Sequence, residues 1–196
     1  MKRMGLVLAI SMGVCMTGGS ALAATTTSGG SPHASGKNLV AASQAQLEQT
    51  IHDVQTGNYT PTSGSAKELT NSGAQPSAII APNGGDIYGP YTFDQVGNGN
   101  GGLSSAHFSL PSGDSNIEID SSAYESYHAN SGKYYYTVYE DFWYGATDEG
   151  TKACSYGENS AVEGAQTWTG LSSGSYNFVV YCDTGYVTGH GTVYGY

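Results

Sequence analysis

The strongest indication of the fold is an eleven-residue run in the C-terminal half of the chain, Lys133-Tyr134-Tyr135-Tyr136-Thr137-Val138-Tyr139-Glu140-Asp141-Phe142-Trp143. Aromatic and β-branched residues dominate it, and these residue types favour extended backbone. Side chains of a strand alternate between two faces. One face carries Tyr134, Tyr136, Val138, Glu140 and Phe142, whereas the other carries Lys133, Tyr135, Thr137, Tyr139, Asp141 and Trp143. The run therefore predicts a strand whose second, more polar face is in contact with water.

Similar alternating runs lie on either side of this strand, and clusters of Gly, Asn, Asp and Ser separate them, as expected for turns. Of the 16 tyrosines, 15 follow residue 85. We predict eight strands, at residues 91–96, 106–110, 116–121, 133–143, 151–156, 165–169, 175–182 and 186–196. Many short strands in one segment predict an all-β domain over residues 85–196, an antiparallel β-sandwich or jelly-roll-like arrangement.

One turn carries a recognisable pattern. The segment Leu171-Ser172-Ser173-Gly174-Ser175-Tyr176 resembles the Leu-x-x-Gly-x-Tyr turn that leads into a strand in fibronectin-III-like and related sandwiches. The resemblance implies a sandwich-type architecture and carries no implication for activity.

The segment before residue 85 has three parts. Residues 1–24 combine a basic start, an apolar run and Ala21-Leu22-Ala23, which predicts a signal peptide and an exported protein. Residues 25–37 are small and polar, which predicts a disordered linker. In residues 38–84, helical spacing of Val40, Leu47, Ile51 and Val54 predicts one short amphipathic helix, followed by a polar linker.

The charge balance excludes several classes of partner. The chain has 6 Lys and Arg against 16 Asp and Glu, a formal net charge of −10. Loss of a leader carrying Lys2 and Arg3 makes this charge more negative by two. Nucleic-acid binding needs clustered cations, so we expect no nucleic-acid partner. We also expect no membrane insertion after the leader is removed, because no later stretch is apolar enough to span a bilayer.

Two cysteines follow the leader, Cys154 and Cys182. An exported protein folds where thiols are usually oxidised. The spacing fits neither a redox motif nor a metal site, so we predict a disulfide between them.

The carboxylates and histidines show no catalytic or metal-binding pattern. Glu140 is the best candidate acid for a small glycosidase, because its strand face is aromatic and would favour the neutral carboxyl form. A second carboxylate would have to come from another strand. We expect no cofactor; a structural calcium ion in residues 113–120 or 145–150 is the alternative.

The excess of aromatic residues is the most informative functional feature. A row of Tyr and Trp along a strand can stack sugar rings, because these side chains combine an apolar face with a polar tip. The leading hypothesis is a secreted, non-catalytic protein that binds polysaccharide or a cell-wall polymer through Tyr135, Tyr139, Trp143, Tyr186 and Tyr194. The alternatives are a structural subunit of an extracellular fibre, matrix or surface layer that binds copies of itself, and the glycosidase centred on Glu140.

Overall fold

A computed structural model describes residues 37–61, 67–68, 85–97, 101–125, 132–158 and 160–196. The predicted signal peptide, residues 1–24, and all but the last residue of the predicted linker, residues 25–37, lie outside these residues. The described residues belong to one unit, His33–Tyr196. Its elements in chain order are β1 (Lys37–Asn38), β2 (Val40–Ala41), α1 (Gln44–Thr56), β3 (Tyr59–Thr60), β4 (Lys67–Glu68), β5 (Asp86–Val96), β6 (Leu103–Ser104), β7 (Phe108–Leu110), β8 (Asn116–Glu125), β9 (Gly132–Phe142), β10 (Gly145–Glu158), β11 (Val162–Thr169), β12 (Gly174–Tyr181) and β13 (Val187–Gly195).

The prediction of an all-β protein is confirmed, and each of the eight predicted strands overlaps one of the long or short strands of the structure. The strands form a single hydrogen-bonded sheet that curls into a half-barrel, and two separate layers are not clearly distinguished. The reason is β10, which pairs antiparallel with β9 and then parallel with β8 through Gly157 and Glu158. The strands on the two sides of β10 therefore belong to one sheet. The order of the strands along its main path is β1-β5-β13-β8-β10-β9-β12-β6-β2.

The core enclosed by this curled sheet is rich in tyrosine, and its hydroxyl groups bond to one another. Tyr134 and Tyr136 are completely buried. The hydroxyl groups of Tyr136 and Tyr91 are 2.8 Å apart, and that of Tyr134 is 2.6 Å from Ser121 Oγ. Burial raises the pKa of Tyr91 and Tyr134 well above the ordinary range. These buried hydroxyls are satisfied, as buried polar groups must be.

The helix begins later than the spacing that includes Val40 predicts, because a defined cap precedes Gln44. Ser43 has extended backbone, and its hydroxyl oxygen accepts a hydrogen bond from the Gln46 backbone N–H at 3.4 Å, which starts the helix at Gln44. Gly57, with φ of 71°, ends it. Val40, assigned by the periodicity to the helix, lies in β2 and is 63 % exposed.

The expected exposure of the second face of β9 is wrong. Tyr135, Thr137 and Tyr139 are 5 %, 0 % and 3 % exposed. The physical reason is α1, which contacts β10 and β12 on either side of β9 and covers this face. The central strand is consequently buried on both faces.

The predicted disulfide is also wrong, since Cys154 and Cys182 are both buried free thiols. Cys154 on β10 pairs in register with Tyr134 on β9. Cys182 follows Tyr181 of β12, which pairs with Tyr135 of β9. The two cysteines are thus on opposite sides of an intervening strand, about 10 Å apart, beyond the ~7 Å limit for a bridge. Burial raises the pKa of the Cys154 thiol to about 11.

Candidate functional site

The tip of the β9–β10 hairpin carries three exposed aromatic side chains. Phe142, Trp143 and Tyr144 are 38 %, 95 % and 67 % exposed. The rings of Phe142 and Tyr144 stack at 5.1 Å and 7° between planes, and Trp143 packs edge-on to Tyr144 at 5.3 Å. Gly145 closes the turn with a φ of 142°, in a region that favours glycine. The three rings form a contiguous cluster, which we call the aromatic tip.

A groove of about 480 Å³ lies between the start of α1 and the base of the aromatic tip. Amide and carboxyl side chains line it, together with one imidazole and the ring of Phe142; they include Gln46, Gln49, His107, Asp141 and Asp148. Such groups offer both donors and acceptors to hydroxyl-bearing ligands. The aromatic tip and the groove together place exposed aromatic rings next to polar side chains.

His107 and Asp141 approach each other across one wall of the groove. His107 Nδ1 is 3.4 Å from Asp141 Oδ2, and their side chains are 63 % and 22 % exposed. This oxygen is buried and has no hydrogen-bond partner in the described residues. The contact is therefore an ion pair only while the imidazole is protonated.

The opposite wall of the groove is α1, which contacts the sheet through a buried polar network. Thr50 Oγ1 is 2.9 Å from Thr137 Oγ1 and 3.0 Å from the hydroxyl of Tyr139. Tyr139 donates to the Gln46 carbonyl at 2.7 Å. Burial raises the pKa of Tyr139 to about 12, so the hydroxyl keeps its proton and this bond at neutral pH.

Two carboxyl groups meet at the floor of this network. Asp53 is 2 % exposed, and Asp53 Oδ2 accepts a hydrogen bond from Thr151 at 2.8 Å. Half-buried Asp148 has a pKa raised to about 6, mainly by burial and further by its hydrogen bond with Asp53 and the charges of Asp53 and Glu149.

The five predicted binding residues do not share a surface. Tyr135 and Tyr139 lie beneath α1, whereas Trp143 is on the aromatic tip. Tyr194 is 7 % exposed in β13, and burial raises its pKa. Tyr186 is half-buried before β13, where its backbone N–H donates to Glu125 Oε1 at 3.3 Å. A contiguous row of all five is therefore not formed, and polymer binding by any of them stays a prediction.

Glu140, the candidate acid of the glycosidase hypothesis, acts electrostatically on two neighbouring groups. Burial and the charge of Glu140 raise the pKa of Glu149 on β10. Burial, then the Glu140 and Glu149 charges, raise the pKa of Tyr176 to about 12. A second carboxylate thus approaches Glu140 from another strand. The groove described above is not lined by either of them, and the glycosidase stays a prediction.

Sequence patterns did not reveal the groove. Its walls come from α1 and from the hairpin, and Asp148 belongs to no motif. One signal was present in the sequence: Ser43 followed three residues later by Gln46 is a capping pattern, which places Gln46 on the first turn of a helix.

The described ranges also bear on the metal and membrane predictions. Within them, no three His, Cys, Asp or Glu side chains are grouped to hold a metal ion. The calcium hypothesis for residues 113–120 or 145–150 stays a prediction. No helix of this part of the chain is long and apolar enough to cross a bilayer.

Comparison with known proteins gives no relative from which a function could be transferred: no family model, no curated protein and no solved structure matches this chain.

Proposed function

We propose that this protein is exported and binds a polysaccharide or cell-wall polymer through the aromatic tip and the adjoining groove. The observation that carries the proposal is the exposure of Trp143, at 95 %, in a chain that buries Trp168 and most of its described tyrosines. An exposed, ordered cluster of large apolar side chains marks an interaction surface. In this proposal, the expected eight-stranded sandwich serves only as the scaffold that supports the hairpin.

The chemistry of the surface fits sugars. Trp and Tyr rings stack on the apolar faces of pyranose rings, and their polar tips bond to hydroxyl groups. In the groove, Gln46 and Gln49 supply amides, and Asp141 and Asp148 supply acceptors. A polymer lying across the tip would place one ring on Trp143 and the hydroxyls of the next in the groove.

The test is a pull-down of the whole mature chain on insoluble chitin, cellulose, xylan and peptidoglycan. We expect Trp143→Ala to weaken binding about thirtyfold, because truncation of a central aromatic anchor costs about 2 kcal/mol. Tyr124→Ala is the matched control, since Tyr124 is 38 % exposed on β8 and outside the groove. Retention by no polymer, or equal loss in the two variants, would reject the proposal.

The alternative, a subunit that assembles with copies of itself, can be tested with the same variant. The aromatic tip would then pack against a second copy. Sedimentation velocity over a hundredfold range of protein concentration separates the two readings. A protein that stays monomeric at every concentration excludes assembly. Assemblies of the protein that Trp143→Ala abolishes would favour the assembly hypothesis over the polysaccharide proposal.

A further inference from the structure

The charge of the groove is negative. Among the described residues that line it, the ionisable side chains are Asp141, Asp148, His107 and Tyr139, and none is Lys or Arg. His107 is a cation only while its imidazole is protonated. The chain as a whole has a formal net charge of −10. A cleft lined by one sign of charge concentrates ligands of the opposite sign, so this groove attracts cationic ligands and repels anionic ones.

The two carboxylates of the groove lie on one face of the β9–β10 hairpin. Asp141 is opposite Ala146 in the register of the two strands, and Asp148 is opposite Tyr139. Because residues two apart on a strand share a face, Asp141 and Asp148 are diagonal neighbours, with Cα atoms about 7–8 Å apart. A single charged group placed between them would face both carboxylates.

Neither carboxylate is balanced by a fixed cation. Among the described residues, neither forms an ion pair with Lys or Arg. The contact of Asp141 with His107, at 3.4 Å, involves only one of the two carboxylate oxygens, Oδ2. Burial and the nearby acids Asp53 and Glu149 raise the pKa of Asp148 to about 6. A cation supplied by a ligand would stabilise both negative charges.

The aromatic tip provides a second attraction for cations. The face of an aromatic ring is electron-rich and attracts ammonium groups, most strongly in Trp. Phe142 belongs both to the aromatic tip and to the lining of the groove, and the adjacent Trp143 is 95 % exposed. Aromatic rings beside carboxylates suit a ligand that combines an apolar ring face with an ammonium group.

We propose that the aromatic tip and the groove select a polysaccharide whose sugar units carry free amino groups, that is, a deacetylated amino-sugar polymer. Asp141 and Asp148 hold the ammonium group, and the aromatic tip stacks on the sugar ring. The inference rests on the proposed function, because it names the class of polymer that the same surface takes.

The experiment is isothermal titration calorimetry of the whole chain with three hexasaccharides of identical linkage. They differ only in the group at the second carbon of each sugar: cellohexaose carries a hydroxyl, the N-acetylglucosamine hexamer an acetamide and the glucosamine hexamer an amine. We expect the glucosamine hexamer to bind about tenfold more tightly than the other two, because an ion pair and a cation–π contact each contribute a few-fold. Raising NaCl from about 0.05 M to about 0.5 M should reduce this preference and leave the affinity for cellohexaose unchanged.

Two variants and one control assign the preference to the groove. Asp141→Asn and Asp148→Asn remove one charge each with little change of shape, and an amide oxygen at position 148 can still accept the Gly150 backbone N–H, now at 2.7 Å. Each should weaken the glucosamine hexamer about threefold and leave cellohexaose unchanged, which also shows that the variant is folded. Glu158→Gln is the matched control: it removes an exposed carboxylate at the end of β10, outside the groove, and should leave all three affinities unchanged.

Three results would overturn the proposal and leave the proposed function in place. The first is equal affinity for the three hexasaccharides, or tighter binding of a neutral one. The second is a preference that both Asp→Asn variants keep, or that Glu158→Gln reduces as much, because the net charge of the protein would then be its cause. The third is binding of none of the hexasaccharides by a protein that a polymer retains in the pull-down.

Two further results reach beyond the choice of sugar. Hexalysine that binds as tightly as the glucosamine hexamer would overturn the proposal, because the surface would then take a cationic peptide. Binding of no hexasaccharide, together with retention by no polymer in the pull-down, would reject the proposed function and this inference together.

Discussion

The covered part of β9 and the aromatic tip, although continuous in sequence, differ in almost every physical respect. Tyr135 and Tyr139 precede Trp143 on the same alternating face, yet they are nearly inaccessible and Trp143 is almost fully exposed. The difference is made by α1, which extends over the strand but not over the turn. Exposure on a sheet is therefore determined by what packs on a face and only partly by the alternation of the residues in it.

The difference in burial predicts a difference in stability, and Tyr139→Ala should show the largest effect. Tyr139 fills space beneath α1 and bonds to both Thr50 and the Gln46 carbonyl. Truncation of a buried aromatic ring costs about 3–5 kcal/mol, so we expect the free energy of unfolding in urea to fall by that amount. Tyr139→Phe, which keeps the ring, should lose only about 1–2 kcal/mol. Equal losses would mean that the ring itself contributes little.

Thr50→Val should have an intermediate effect on the unfolding free energy. It tests whether polar contacts hold α1 on the sheet. The substitution keeps the shape but removes the hydroxyl that bonds to Thr137 and Tyr139. Buried partners that are left without hydrogen bonds lower the free energy of unfolding by about 1–3 kcal/mol. Thr56→Val is the matched control on the same helix, since Thr56 is exposed and its hydroxyl bonds only to backbone carbonyls of α1. We expect that control to change the unfolding free energy by less than about 0.5 kcal/mol.

The strands and the helix were predictable because their signals are local. Period-two runs of Tyr, Val and Thr located the eight strands, and helical spacing of Leu47, Ile51 and Val54 located α1. Turn-forming residues separated the runs. What these signals could not supply is the curl of the sheet, which depends on the pairing of β10 with β8, more than twenty residues apart in sequence.

The covered face was not predictable for a different reason. Thr50, Asp53, Thr137 and Thr151 are polar, and in a sequence such residues indicate surface. Here they are buried against one another, and each satisfies the hydrogen bonds of the next. The disulfide prediction failed because Tyr134 of β9 lies between the two cysteines. No sequence motif shows that this strand separates them.

The smallest effect on stability is expected for Trp143→Ala, the variant with the largest expected effect on binding. Its indole packs edge-on to the ring of Tyr144 and is 95 % exposed. Little apolar surface is lost from the folded core, so the unfolding free energy should change by less than about 0.5 kcal/mol. Thermal or urea unfolding of this variant, measured beside Tyr139→Ala, gives the comparison directly. A large loss for Trp143→Ala would place the indole in a structural contact and remove the argument that its exposure serves a ligand. A neutral result would show that the fold does not need the indole, which is the condition under which its exposure can serve the proposed binding.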